Sequence, residues 1–267
     1  MRTSPLAEGT VVVTGAARGL GAALAQQIAR RGARTALLGH EKDALDAVAA
    51  SLPGPAPAVE VDVTDPGALD AAARTVRSGL GRPSVVVANA GISAGGMFLD
   101  SDPAAWRRVI EVNLTGSAHT ARFLPDLLAT AGYFLQVASM ASIGAAPLMS
   151  AYCASKAGVE AFAHALRAEV AHRGVGVGIA YPSWTDTDMI RDADRYAVLR
   201  ELRAHAPTGA PGVPRGHGRR PPGPGRGAPP YRRVRAGVAA AGPAGARGPA
   251  DRGAARVAPR AAPPGGR

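Results

Sequence analysis

The chain has 267 residues, with 31 Lys+Arg against 20 Asp+Glu and a formal charge of +11. As an average this suits a protein that seeks nucleic acid or an anionic membrane, yet residues 207–267 hold 12 Arg and a single acid, Asp251, while residues 1–206 are balanced. One cysteine, Cys153, excludes an internal disulfide framework, and with no run of roughly 18 apolar residues to span a bilayer the expectation is a cytoplasmic protein without a membrane partner.

The first ten residues are too short and polar for a secretory signal. A β-rich run, Thr10–Thr14, follows, and then Thr14-Gly15-Ala16-Ala17-Arg18-Gly19-Leu20-Gly21 opens a helix marked by Leu20, Leu24 and Ile28 and closed by Gly32. Glycines between a strand and a helix let the backbone approach a pyrophosphate, and the helix N-terminus offers it N–H groups and partial positive charge. The spacing Gly-x-x-x-Gly-x-Gly differs from the standard Gly-x-Gly-x-x-Gly fingerprint, so its context carries the reading. The second strand, Arg34–Leu38, ends at Gly39, where an acid would grip the adenosine ribose of NAD. Gly39 leaves room for a 2′-phosphate and Arg18 could supply charge to it, which favours NADP over NAD. Glu41, two residues on, keeps NAD open.

Further strands are predicted over Ala58–Val63, Ser84–Ala88, Gly132–Ala138 and Val175–Tyr181, several of them apolar without alternation, as in parallel strands covered on both faces. Asp65-Pro66 and Asp102-Pro103 each set a capping carboxylate before a proline at the first helical position. Six strands joined by helical crossovers predict an α/β fold with one doubly wound parallel sheet of the Rossmann type.

Past the fifth strand, Ser139 stands at the edge of the ligand crevice expected in such a sheet, with Ser142 as the competing hydroxyl. In the next helix Tyr152 and Lys156 lie one turn apart on one face. A phenol of ordinary pKa about 10 is a poor base near neutrality, and a neighbouring ammonium brings it toward working range. The pair then exchanges a proton with an alcohol or carbonyl oxygen. Lys156 is one of only two lysines in the chain. No Gly-x-Ser-x-Gly elbow supports a serine hydrolase, and no cluster at metal spacing suggests a bound metal.

Taken in order, Thr14–Gly21, Asp62-Val63, Asn89-Ala90-Gly91, Asn113, Ser139, Tyr152/Lys156 and Pro182…Thr187 resemble the short-chain dehydrogenase/reductase family in its ~250-residue form, over roughly residues 8–190. The resemblance implies a Ser139–Tyr152–Lys156 triad, with Asn113 holding a water in the proton relay. It also implies Asp62 near the adenine, Asn89 bracing the cofactor side of the sheet and Thr187 near the nicotinamide carboxamide. Ser183 departs from the glycine usual after the proline. The resemblance implies a substrate lid at residues 186–206, apolar through Met189, Ile190, Tyr196, Val198, Leu199 and Leu202, which favours a lipophilic alcohol or ketone. It also makes a homo-oligomer through the helices around 103–130 and 150–172 an expectation.

Relatives of this kind continue with a further helix and strand, whereas residues 207–267 are built mainly from Gly, Ala, Pro and Arg. Such a composition cannot assemble a core and predicts a disordered tail with the last strand missing. Three readings stay open: a basic arm binding nucleic acid or acidic partners on a catalytically degenerate homologue, an inert extension, or an out-of-frame translation of GC-rich DNA.

Overall fold

The computed structural model describes residues 6–183, 189, 191 and 195–205. Thr187, Ile190 and the predicted tail, 207–267, lie outside the described residues. Six strands form one parallel sheet in the order β3-β2-β1-β4-β5-β6: β1 Thr10–Thr14, β2 Arg34–Gly39, β3 Ala58–Glu60, β4 Val85–Ala88, β5 Tyr133–Val137 and β6 Gly176–Ala180. That order is the Rossmann one, reversing between β1 and β4 so that a crevice opens beyond the strands' carboxyl ends. The strands carry side chains to two separate apolar layers. Val11, Val13 and Leu37 pack with Ala25 and Ile28 of α1 (Gly19–Arg30) and Leu45 of α2 (Lys42–Ala50). On the opposite face Val12, Val86 and Phe134 pack with Leu69 and Val76 of α3 (Pro66–Leu80) and the later helices.

The two Asp-Pro starts behave as their chemistry requires. Asp65 accepts from the amides of Gly67 and Ala68 at 2.8 and 3.0 Å, and Asp102 accepts from Ala104 at 2.9 Å at the head of α4 (Pro103–Ile110). α1 stops where Gly32 takes φ +89°, a conformation that favours glycine.

Two sequence expectations change. The third strand ends at Glu60 and not at Val63, because its partner β2 ends at Gly39; the Val61 amide takes the Gly39 carbonyl at 2.7 Å and the chain then leaves the sheet. The helix expected over 103–130 is interrupted. A π-helical turn, Glu111–Thr115, follows α4 and leads to α5 (Gly116–Thr120) and α6 (Leu124–Thr130). Gly116 sits so close to Val63 that a Cβ there would lie 2.5 Å from its methyl. α7 (Ser150–Val170) then returns across β5 and β6, and α8 (Ala197–Ala204) supplies the described part of the lid. Among the described residues β6 pairs only with β5, and no helix is long and apolar enough to cross a membrane.

Candidate active site

The strands' carboxyl ends open into a cleft of about 880 Å³. At one end stands the glycine loop, held by hydrogen bonds that the sequence spacing does not reveal. The Thr14 hydroxyl accepts from the amides of Asn89 (3.0 Å) and Ala90 (3.2 Å), and Asn89 Nδ2 donates to the carbonyls of Thr14 (2.9 Å) and Gly15 (3.2 Å). Gly15 has φ +65°, and a Cβ on it would lie 2.7 Å from the Ala90 Cα. The loop is therefore fastened to β4, and only glycine fits its first position. No side chain caps α1 and its first turn holds no acid, while Gly19, Leu20 and Gly21 all face the cleft. An uncapped helix start in a glycine-lined cleft fits the pyrophosphate of a dinucleotide.

Charged groups gather beside this loop. Arg18 forms an ion pair with Glu41, both of them exposed, next to Gly39. Asp62 accepts from the amide and hydroxyl of Thr64 at 2.9 and 2.8 Å and from Arg108 at 2.8 Å. Burial raises its pKa, but the Arg108 hydrogen bond and charge and the Thr64 bonds outweigh that and hold the carboxyl at about 2. Arg108 itself lines the cleft. Sequence reasoning missed it, since an arginine in the last turn of α4 carries no motif; Val63 lies beside Asp62, buried and also on the cleft wall.

In the middle of the cleft Ser139, Tyr152 and Lys156 come together. Ser139 caps a short 3-10 turn, Met140–Ser142, accepting from the Ala141 amide at 3.2 Å, and its hydroxyl hydrogen-bonds the Tyr152 phenol. Ser142 is turned elsewhere, donating to the Ser139 carbonyl at 2.7 Å. Lys156 is 4% exposed; its Nζ donates to the Val137 carbonyl at 3.1 Å and lies 5.7 Å from the Tyr152 ring centre. Burial pulls the ammonium down to about 8. The sequence expectation pairs this ammonium with the Tyr152 phenol one turn before it on α7. Burial pushes Tyr152 up, and the opposing influence is the hydrogen bond to Ser139. The ammonium is bonded to main chain, at the Val137 carbonyl.

Asn113 is fully buried in the π-turn. Its Oδ1 accepts from the Ile92 amide at 2.8 Å, and its Nδ2 donates to the Ile92 carbonyl and to Ser155 Oγ, both at 2.9 Å. Ser155 in turn donates to the Tyr152 carbonyl at 2.7 Å. The side chain thus ties the loop after β4, including Gly91, to the helix that bears Tyr152 and Lys156. The wider turn follows from that job, since an extra residue in the helix directs Asn113 inward.

The remaining wall is apolar. Ile143, Met149, Met189, Leu199 and Leu202 line it, with Pro182 and Ser183 at the end of β6. α8 is fastened over this region by Tyr196, whose hydroxyl donates to the Gly95 carbonyl at 2.7 Å, and by Leu199, 1% exposed against Met149. Among the described residues no group of three His, Cys, Asp or Glu could hold a metal.

The family described as short chain dehydrogenase matches residues 9–196. The chain is 36% identical over 181 residues to meso-2,3-butanediol dehydrogenase of Serratia marcescens, covering 67% of this chain and 72% of that one. It is 28% identical over 198 residues to the 3-oxoacyl-[acyl-carrier-protein] reductase of Escherichia coli, covering 72% and 81%. Among solved structures it resembles a short chain dehydrogenase/reductase from Burkholderia phymatum in complex with NAD, with a TM-score of 0.71, 26% identity and coverage of 78% and 83%.

Proposed function

The chain belongs to the short chain dehydrogenase family, NAD(P)-dependent oxidoreductases of alcohols and ketones, and on that premise we propose that Tyr152 is the acid/base of its reaction, on a lipophilic substrate and with NADP preferred. The observation that carries this is the meeting of Ser139, Tyr152 and Lys156 in one cleft that also contains the glycine loop. The nicotinamide supplies or accepts the hydride. Gly15, Gly19, Leu20 and Gly21 would hold the pyrophosphate, Asp62 and Val63 would stand by the adenine, and Asn89, Ala90 and Gly91 would brace the cofactor side of the sheet. Pro182 shapes the nicotinamide end; Thr187, assigned to the carboxamide, lies outside the described residues.

Ser139 donates to the substrate oxygen and steadies its developing charge. In the direction of reduction, Tyr152 delivers the phenolic proton to that oxygen; in oxidation it removes it. A high phenol pKa suits the donor, and the hydrogen bond from Ser139 is what opposes that rise. Asn113, with both amide atoms on the Ile92 main chain, keeps the floor of the relay in register. The apolar wall of Ile143, Met149, Leu199 and Leu202 supports a lipophilic substrate, and Gly39 with Arg18 supports a 2′-phosphate.

The experiment is binding of NADPH and NADH by fluorescence, then reduction of methyl ketones from butanone to decanone. Turnover that rises with chain length and falls about a thousandfold in Tyr152→Phe is expected. Undetectable binding of both cofactors, or a Tyr152→Phe variant as active as the parent, would overturn the reading.

A further inference from the structure

Tyr152, Lys156 and Glu160 repeat at i, i+4 and i+8 and so share one face of α7. The first two enter the cleft; Glu160 does not line it. Its carboxylate Oε1 accepts the Tyr181 hydroxyl at 2.9 Å, and the Ser142 hydroxyl also reaches it. Tyr181 stands directly before Pro182, and Ser142 closes the turn that begins at Ser139. The same two segments are already joined by main chain: Ala138 donates to the Ala180 carbonyl at 2.9 Å and Met140 to the Pro182 carbonyl at 3.1 Å. Ser142 has one hydroxyl proton and two acceptors, the Ser139 carbonyl at 2.7 Å and the carboxylate. A charged acceptor makes the stronger bond.

We infer that Glu160 is a positioning residue: its carboxylate clamps the Ser139–Ser142 turn to the Tyr181–Pro182 segment, and thereby fixes the distance between the serine hydroxyl and the nicotinamide end of the cleft. The side chain is about one quarter exposed, at 24%, with His164 Nε2 at 3.9 Å on its outer side and Arg167 near Tyr181. Its effect on the reaction rests on the proposed role of Ser139 and Tyr152; its effect on the turn does not.

The test measures amide hydrogen exchange on the full chain, in the segment 139–144, with α7 as the internal control. Glu160→Ala should speed exchange in 139–144 about tenfold, the size expected for loss of one hydrogen bond to a charged group. Glu160→Gln keeps one acceptor oxygen but no charge and should fall between the parent and Glu160→Ala. Tyr181→Phe, which removes one hydroxyl and no bulk, should move exchange in the same direction as Glu160→Ala. With NADPH and the best methyl ketone, Glu160→Ala should lower kcat about tenfold while leaving the Kd for NADPH within about twofold. Parental exchange in Glu160→Ala and Tyr181→Phe, or equal loss in Glu160→Gln and Glu160→Ala, would overturn the clamp. A Tyr152→Phe variant of parental activity would instead remove the functional reading, and the exchange result would still judge the clamp.

Discussion

Lys156 is a charge held where water is scarce, with one main-chain carbonyl as its acceptor. Its pKa is about 8 in the fold against an ordinary 10.5. Between those values the unfolded chain binds the extra proton and the folded chain does not, so stability rises with pH across that window. Below pH 8 the full burden of the buried ammonium is present, on the order of 3 kcal/mol. Lys156→Met, similar in length and without charge, should therefore raise the melting temperature at neutral pH by several degrees and abolish turnover. Thermal melts of parent and variant at pH 7 and near pH 10 check this, and the gap between them should narrow at the higher pH. Asp62 is the opposite case. Its carboxyl is held at about 2, below the ordinary 3.8, so its contribution is intact above pH 4 and fades as pH falls toward 2. Arg108→Ala should remove most of that dependence and, because Asp62 then loses its anchor, weaken NADPH binding about three- to tenfold by fluorescence titration, the range for a partly exposed charged pair.

At the scale of elements, the glycine loop and the residue that caps α2 meet in the Arg18–Glu41 pair. The arginine proposed for a 2′-phosphate is engaged by a carboxylate, so the two ligands compete for one cation. Glu41→Gln should release Arg18 and raise the NADP/NAD selectivity in kcat/KM severalfold, whereas Arg18→Ala should lower it by about tenfold; an exposed pair has no more than about 1 kcal/mol to give in the first case. Steady-state kinetics with both cofactors decides, and a selectivity unchanged in Arg18→Ala would remove the arginine from cofactor choice. The elements themselves were largely readable from sequence. Continuous apolar runs such as Val11-Val12-Val13 found five of the strands to within a residue, while the third, predicted three residues too long, was not such a run, and Asp-Pro pairs found helix starts, because those signals are local. What escaped was set between distant segments. Nothing near Asn113 announces a π-turn, which exists because Ile92 and Ser155 draw its side chain inward. Arg108 and Glu160 acquire meaning only from Asp62 and Tyr181, 46 and 21 residues away.

For the whole molecule, the net charge of +11 and the cleft are separate matters. The residues that build the sheet, the cleft and α8 all fall within 1–206, where acids and bases balance, and the excess lies in 207–267 with its 12 arginines. Polyanion binding should therefore follow the arginines and leave the cleft's chemistry alone. Neutralising six to ten phosphates releases as many counterions, and affinity then falls by about a thousandfold or more between 50 and 200 mM salt. The full chain should bind duplex DNA with that steep salt dependence, while a chain ending at Ala206 should not bind at the same concentrations and should keep the parental Kd for NADPH. Anisotropy with labelled duplex, paired with NADPH fluorescence on both chains, makes the comparison. DNA binding retained by the shorter chain would move the basic surface onto the sheet domain, where Arg30, Arg31 and Arg34 cluster at the end of α1. A loss of NADPH affinity on shortening would show that the last 61 residues support the cleft after all.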